Sequence, residues 1–196
     1  FQAEDGIRDA QESRGLGDVY KRQMLMSRAE LTEMTPGGAP IIEIENPMLE
    51  SYAAVRNSLI PGLLRLEAAS QKALYPHRVF EVGEVAFQDH DSETGCATRV
   101  WCAMLLAHGT ANFSELHGAL ESLGYYLALE FTLQPCDLAL FIPGRAAKIS
   151  AAGRECGSIG EVAPEVLDRW GIRMPLTVCE LDLELCLAAL KASIPA

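Results

Sequence analysis

The chain has 196 residues, a formal net charge of −11 at pH 7 and 49% hydrophobic residues, enough for one domain of ordinary globular composition, or a large and a small one. No apolar run approaches the roughly 20 residues of a membrane helix, and no basic region followed by an apolar stretch marks a secretory signal. The acidic balance, without Lys and Arg gathered on one face, argues against strong binding of nucleic acid by this chain alone.

Residues 1–23 differ from the rest of the chain. They are polar, bear Gly and Arg, and lack sustained apolar periodicity of helix or strand type. The string resembles translated sequencing-adapter sequence; the alternative is a disordered tail. On either reading the segment is expected to carry no function and lies outside fold reasoning. Removing it takes away five acids and four bases and leaves a net charge of −10. Residue 24 then reads as a truncation point, and 24–40 as a truncated lead-in to a core domain over 41–196.

Thr35-Pro-Gly-Gly-Ala-Pro40 is a turn-forming cluster that cannot continue a helix. Ile41–Glu45 comes next as a short strand, stopped by Asn46-Pro47. Ser58 is a candidate N-cap, and Pro61 falls in the first turn, where its missing N–H costs no helical bond. Leu59, Leu63, Leu66, Ser70 and Ala73 recur at helical spacing, and Ile60 and Leu64 widen the apolar face. Such a helix, over Leu59–Leu74, has more apolar surface than one buried stripe requires and is expected to pack on its own sheet and on a second body. Tyr75-Pro76 ends it.

A strand is predicted over His77–Phe87, then an acidic turn through Asp89, Asp91 and Glu93. Thr98–Ala107 is almost continuously apolar, as in a strand buried on both faces. Asn112, with Glu115 three residues on, opens a second helix as in a capping box, with Leu116, Leu120, Leu123 and Leu127 on its core face. Leu129, Phe131 and Leu133 alternate as a strand. Gly144–Ala152 and Glu155–Val162 read as strands joined at Gly153-Arg154. Pro164 starts a short helix that Gly171 ends, and Leu176–Leu183 gives a last strand before a small amphipathic end. Hairpin-linked strands interrupted by helices argue for α+β with a largely antiparallel sheet.

The six cysteines (Cys96, Cys102, Cys136, Cys156, Cys179, Cys186) are scattered, with no C-x-x-C pair and no zinc-like spacing to His. They read as reduced thiols, most of them in apolar surroundings. His77, His90, His108 and His117 are dispersed and form no H-E-x-x-H. Gly157-Ser-Ile-Gly160 is too short to cradle a phosphate and is expected to help a strand turn. Arg56, Arg78 and Arg145 read as ion-pair partners, with lining of a pocket as the alternative.

Two blocks carry a resemblance: Asn46-Pro47 with Val55-Arg56-Asn57-Ser58-Leu59-Ile60-Pro61-Gly62-Leu63-Leu64, and Tyr75-Pro76-His77-Arg78-Val79-Phe80-Glu81-Val82-Gly83. Further blocks occur in order at Phe113–Gly118, Pro143–Ala147, Ile159–Val166 and Glu180–Leu183. The ordered series resembles phenylalanine–tRNA ligase beta subunits, in their C-terminal, catalytic-like domain. The Tyr-Pro pair and the short tail after Leu183 look more like the archaeal and eukaryotic type. His117 departs from the family, which usually has Lys there.

The resemblance implies a class II aminoacyl-tRNA synthetase-like core, antiparallel strands flanked by helices. It also implies an alpha-subunit partner in an α2β2 assembly, a cytoplasmic location, and ATP, magnesium, phenylalanine and tRNA as belongings of the holoenzyme. Leu59, Ile60, Leu63, Leu64 and Leu66 are the candidate subunit interface. No catalytic, cofactor-binding or metal-binding residue is assigned to the chain.

Working class II enzymes commonly read F-E-x-G-x-x-F-R-x-E, whose Arg supplies positive charge to the phosphate under attack. Here Phe80–Asp89 places Gln88 where that Arg would stand, and no third motif follows. A scaffold that completes a ligase without its own activity is therefore expected. A stand-alone ATP-using ligase and a binding module for another partner are the alternatives.

Overall fold

The computed structural model describes residues 18–19, 24–32 and 40–193. Of residues 1–23 only Asp18–Val19 has a described placement, as strand β1; the reading of the rest of that segment lies outside the described residues, as does the turn-forming cluster over 35–39.

The small strands are β2 (Leu25–Met26), β3 (Ile42–Glu43) and β4 (Ala54–Val55). The longer ones are β5 (His77–Gln88), β6 (Cys96–Ala107), β7 (Phe131–Pro135), β8 (Phe141–Ala151), β9 (Arg154–Val162) and β10 (Leu176–Asp182). Seven strands form one sheet in the order β1-β5-β6-β10-β9-β8-β7, and three form a small second sheet in the order β2-β4-β3. In the large sheet every neighbouring pair is antiparallel except β1 and β5. The helices are α1 (Arg28–Thr32), α2 (Ile60–Ser70), α3 (Phe113–Leu127), α4 (Pro164–Trp170) and α5 (Leu183–Ser193).

The helices cover both faces of the large sheet. Leu59, Ile60, Leu63 and Leu64 of the α2 segment join Val166 and Trp170 of α4 on Val85, Ala103, Leu105 and Val178. On the other face Leu116 and Leu120 of α3, with Cys186 and Ala189 of α5, pack on Leu106, Ile149, Ile159, Cys179 and Leu181. Alternation along the strands separates the two sets, because successive side chains leave opposite faces of a strand. The expected α+β class with a largely antiparallel sheet and flanking helices is what the chain adopts.

Most local signals hold, with informative exceptions. The expected cap at Ser58 is displaced by one residue: Leu59 is the N-cap of α2 and carries no side-chain cap, while the Ser58 hydroxyl, one position earlier, accepts the Ile60 amide at 3.1 Å. The helix stops at Ser70 rather than Leu74 and leaves Ala73 and Leu74 exposed. Asn112 caps α3 by accepting the Glu115 amide at 3.1 Å. The return half of a capping box is not made, because the Glu115 carboxylate is held by His108 at 2.8 Å and Arg78 at 3.2 Å. β6 is buried on both faces only from Cys102 onward; Thr98 and Arg99 are exposed. The β8–β9 turn is Ala152-Gly153, both at positive φ (49° and 74°), one residue before the expected joint. That is the backbone hand a two-residue hairpin favours, and glycine adopts it without strain.

Beyond its short pairing with β1, the outer edge of β5 is closed by contacts to residues that flank the strands of the small sheet. The Ala86 amide donates to the Arg56 carbonyl at 2.9 Å, the Arg56 Nε donates to the Glu84 carbonyl at 2.9 Å, and the Gln88 side-chain amide reaches the Ile41 carbonyl at 3.3 Å. No helix of the described residues is long and apolar enough to cross a membrane.

Candidate functional site

The α2-bearing face of the sheet encloses an open cleft of about 690 Å³. Trp101, Glu180, Asp182 and Ser158 line it, Asn57, Ser58, Ile60 and Pro61 form one wall, and Phe87 to Asp89 with Arg99 form another. Phe87 and Trp101 contact each other with ring centroids 5.2 Å apart. The site is thus built from the beginning of α2, the β5–β6 hairpin and the middle strands.

Three blocks distant in sequence are locked together here by buried polar contacts. Arg56 meets Glu81 at 2.6 Å, with side chains 2% and 0% exposed. Gly83 makes room for this pair, since a Cβ there would overlap the Arg56 guanidinium. On α2, Glu67 accepts the Tyr75 hydroxyl at 3.0 Å and contacts His77 Nδ1 at 2.7 Å. The Tyr75 and His77 rings are stacked, with centroids 4.0 Å apart.

Glu180 ties the last block to the first. Its carboxylate accepts the Ser58 hydroxyl at 3.0 and 2.9 Å and the Leu59 amide at 2.5 Å. Burial pushes the Glu180 carboxyl up to about 7, against the amides, the hydroxyl and the Arg56 charge that favour its ionised form. The folded state therefore holds this proton more tightly than the unfolded chain. The stability it contributes is fully present below about pH 4.5 and is lost as the pH rises through about 7. Glu180→Gln keeps an acceptor for the Leu59 amide and removes the titration. The variant is expected to show a flatter stability profile between pH 5 and pH 8, the wild-type loss being about 3 kcal/mol larger across that window. Urea unfolding at both pH values checks this; parallel profiles for the two proteins would refute it.

The chemistry available to the cleft is limited by how its charges are spent. Among the described residues its two lining cations are Arg99, held by Asp182 at 3.1 Å, and Lys148, held by Glu155 at 2.8 Å. Four carboxylates line it, those of Asp89, Glu155, Glu180 and Asp182. Gln88 turns its side-chain amide to the Ile41 carbonyl at 3.3 Å and brings no charge to the cleft. A nucleoside triphosphate with its metal does not fit this donor set, since excess negative charge meets the phosphates and each cation is already paired. Among the described residues no group of three or more His, Cys, Asp or Glu side chains could hold a metal ion.

The remaining sequence candidates fall in several places. Leu59, Ile60, Leu63 and Leu64 are buried inside the chain's own core, and Leu66 is half-buried. Leu59, Leu63 and Leu64 therefore have no surface left to offer, and what Ile60 exposes faces the cleft. Arg145 forms an exposed ion pair with Glu161 at 2.7 Å and does not line the cleft. Arg78 pairs with Glu115 at the surface. Gly157 and Gly160 lie within β9 and make no turn. They allow close approach, because a Cβ would strike the Glu180 carbonyl from the first and the Phe141 ring from the second. Sequence reasoning places Glu180 and Asp182 in a matching block but gives neither a task; only their alternation on a buried strand marks a shared face.

The fold and site define an antiparallel-sheet domain whose motif residues build a polar framework around a cleft with its cations neutralised. The model of the phenylalanyl tRNA synthetase beta chain CLM domain matches residues 1–183. The chain is 33% identical over 180 residues to the phenylalanine–tRNA ligase beta subunit of Thermococcus sibiricus, covering 92% of this chain and 32% of that protein. It is 41% identical over 157 residues to that of Treponema pallidum, covering 80% and 26%, and 37% identical over 153 residues to that of Borrelia recurrentis, covering 78% and 27%. The chain belongs to the phenylalanine–tRNA ligase beta subunit family, and it spans about a third or less of these relatives' length.

Proposed function

We propose that the chain is the non-catalytic, synthetase-like domain of a phenylalanine–tRNA ligase beta subunit. In this reading it has a class II-like core and packs on the alpha subunit in an α2β2 assembly in the cytoplasm. It supports ATP-dependent attachment of phenylalanine to tRNA without touching the reacting atoms. The observation that carries it is the cleft itself: matching motif blocks converge on it, yet among the described residues its lining cations, Arg99 and Lys148, are each paired with a carboxylate. ATP and magnesium then belong to the alpha subunit, and tRNA meets the holoenzyme rather than this domain. The domain boundaries, with residues 1–23 functionless and the core over 41–196, belong to the same proposal. A stand-alone ATP-using ligase is disfavoured by the paired cations.

The interface assigned to the α2 segment is kept as a proposal, moved to what that segment leaves accessible. Leu59, Ile60, Leu63 and Leu64 serve as its buried floor, and contact falls to Leu66 and to Leu74, which is 94% exposed. Co-expression with the cognate alpha subunit, affinity capture and size-exclusion chromatography test both points. Stoichiometric co-elution is expected, and Leu66→Asp with Leu74→Asp is expected to weaken capture about tenfold or more while the far-UV spectrum of the chain is unchanged. A monomeric chain indifferent to a folded alpha subunit would overturn the reading. Full capture of the double variant would overturn only the interface.

A further inference from the structure

Among the described residues the chain commits its positive charge to its own carboxylates. Every Lys and Arg from Arg28 to Lys148 is in an ion pair except Lys72. In a chain with 27 acids and 16 bases, a cation that none of those acids holds is an exception. Lys72 does not stand alone. The Gln71 side-chain amide donates to the Gly171 carbonyl at 2.8 Å, which brings the end of α2 against the turn that follows α4. Around that turn Trp170 and Ile172 are buried, while Arg169, Gly171 and Arg173 are exposed. Lys72, Arg169 and Arg173 thus meet at one corner, although Gln71 and Gly171 are 100 residues apart in sequence. Arg173, like Lys72, is in no ion pair, and Asp168 is the exposed acid on the same turn. Leu74, 94% exposed, and Pro175 add apolar surface beside the cations.

We propose that this corner is a docking surface for a carboxylate-bearing face of the alpha subunit, with Leu74 as its apolar anchor and Lys72, Arg169 and Arg173 as the charges that set the orientation. It rests on the reading that the chain packs on an alpha subunit, and it adds the chemistry of that contact. The partner presents Asp and Glu side chains around an apolar recess. Such charges at the rim of an interface speed encounter and fix orientation more than they add affinity.

Helix ends account for only part of this arrangement. A cation in or just past the last turn offsets the carbonyl end of a helix, which gives Arg169 a task in α4 and Lys72 one after α2. Arg173 lies in no helix, so it has no such task. Solubility asks for exposed charge of either sign, and acids already supply it in this chain. A leucine almost wholly in water beside cations that no acid of the chain holds fits a protein partner. A nucleic-acid backbone would use the cations and leave the leucine idle.

The test uses the full chain co-expressed with its cognate alpha subunit. A carbodiimide joins an ammonium to a carboxylate in direct contact, and in the wild-type complex it is expected to link Lys72 to an Asp or Glu of alpha, located by peptide mapping. Lys72→Glu with Arg173→Glu is expected to weaken capture about tenfold or more and to slow association. Arg154→Glu with Lys191→Glu makes the same change in net charge elsewhere on the chain and is expected to leave capture within about twofold of wild type. A captured wild-type complex with no link at Lys72 would overturn the proposal. Equal losses in the two double variants would also overturn it, since they would report net charge alone. Unchanged capture with weaker binding of tRNA by the assembled enzyme would assign the corner to nucleic acid, and the proposal would fall. In each of these cases alpha still captures the wild type, so the role of the domain stands. If alpha captures no wild type at any salt concentration, both fall together. Because the cross-link is read on the wild type, a variant that misfolds does not spare the proposal.

Discussion

Replacing Arg56 by alanine is expected to destabilise the chain by about 3–5 kcal/mol, the range for removing one member of a buried ion pair. The mechanism has two parts. The guanidinium that neutralises the Glu81 carboxylate at 2.6 Å is lost while that carboxylate remains 0% exposed, and the Glu84 carbonyl loses its 2.9 Å donor. The burial cost of a carboxylate is then met with less compensation. The double replacement Arg56→Met with Glu81→Leu should lose less than the sum of the two single changes, since no charge is left behind. Urea unfolding of the four proteins of the cycle checks this. An Arg56→Ala loss below about 1 kcal/mol would show the pair to be of little consequence.

The second large effect is expected at Gly157. An alanine Cβ there would run into the backbone carbonyl of Glu180 on the adjacent strand and crowd the Leu181 side chain. Backbone in the middle of a sheet cannot swing aside as a side-chain tip does, so Gly157→Ala is expected to cost about 3 kcal/mol, at the upper end of overpacking effects. Displacing Glu180 also disturbs its hold on Ser58 and Leu59. The loss should therefore be accompanied by reduced amide-exchange protection at the start of α2, far from the substitution in sequence. Hydrogen exchange by mass spectrometry reads this directly; a loss of protection confined to β9 and β10 would break the proposed link.

These two sites also mark where the sequence is and is not legible. Signals that act within a few residues are readable: Pro61 in the first turn, the Asn112 cap and the Gly171 stop all occupy the predicted roles, and the start of α2 falls one residue from the predicted cap. The ordered blocks carry the family because each is a short local string. Pairings across the fold are not readable. Glu180 and Leu59 are 121 residues apart and Arg56 and Glu81 are 25 apart, and nothing in the periodicity of either segment names the other. The α2 leucines show the same gap from another side. Helical spacing reports how wide the apolar face is, but what covers it is α4 and the chain's own sheet, brought in by residues 85–178. An excess of leucine therefore reads as a surface for a second body when most of it closes an internal core. Gly157 and Gly160 read as turn makers because glycine's freedom is visible in a sequence, whereas the strand pressing against it is not.

The closure of β5 has a consequence for how this chain meets others of its kind. A bare strand edge invites any extended segment to add a further strand, and concentrated protein then grows fibres or sticky ladders. Along β5 the invitation is withdrawn at Glu84, Ala86 and Gln88, whose backbone or side-chain groups are taken by Arg56 and Ile41. At the opposite end of the sheet β7 is five residues long and finishes on Pro135, which has no amide to give. Room for a further strand is thereby reduced at both margins, and Arg56, buried though it is, takes part in this with its carbonyl and its guanidinium alike.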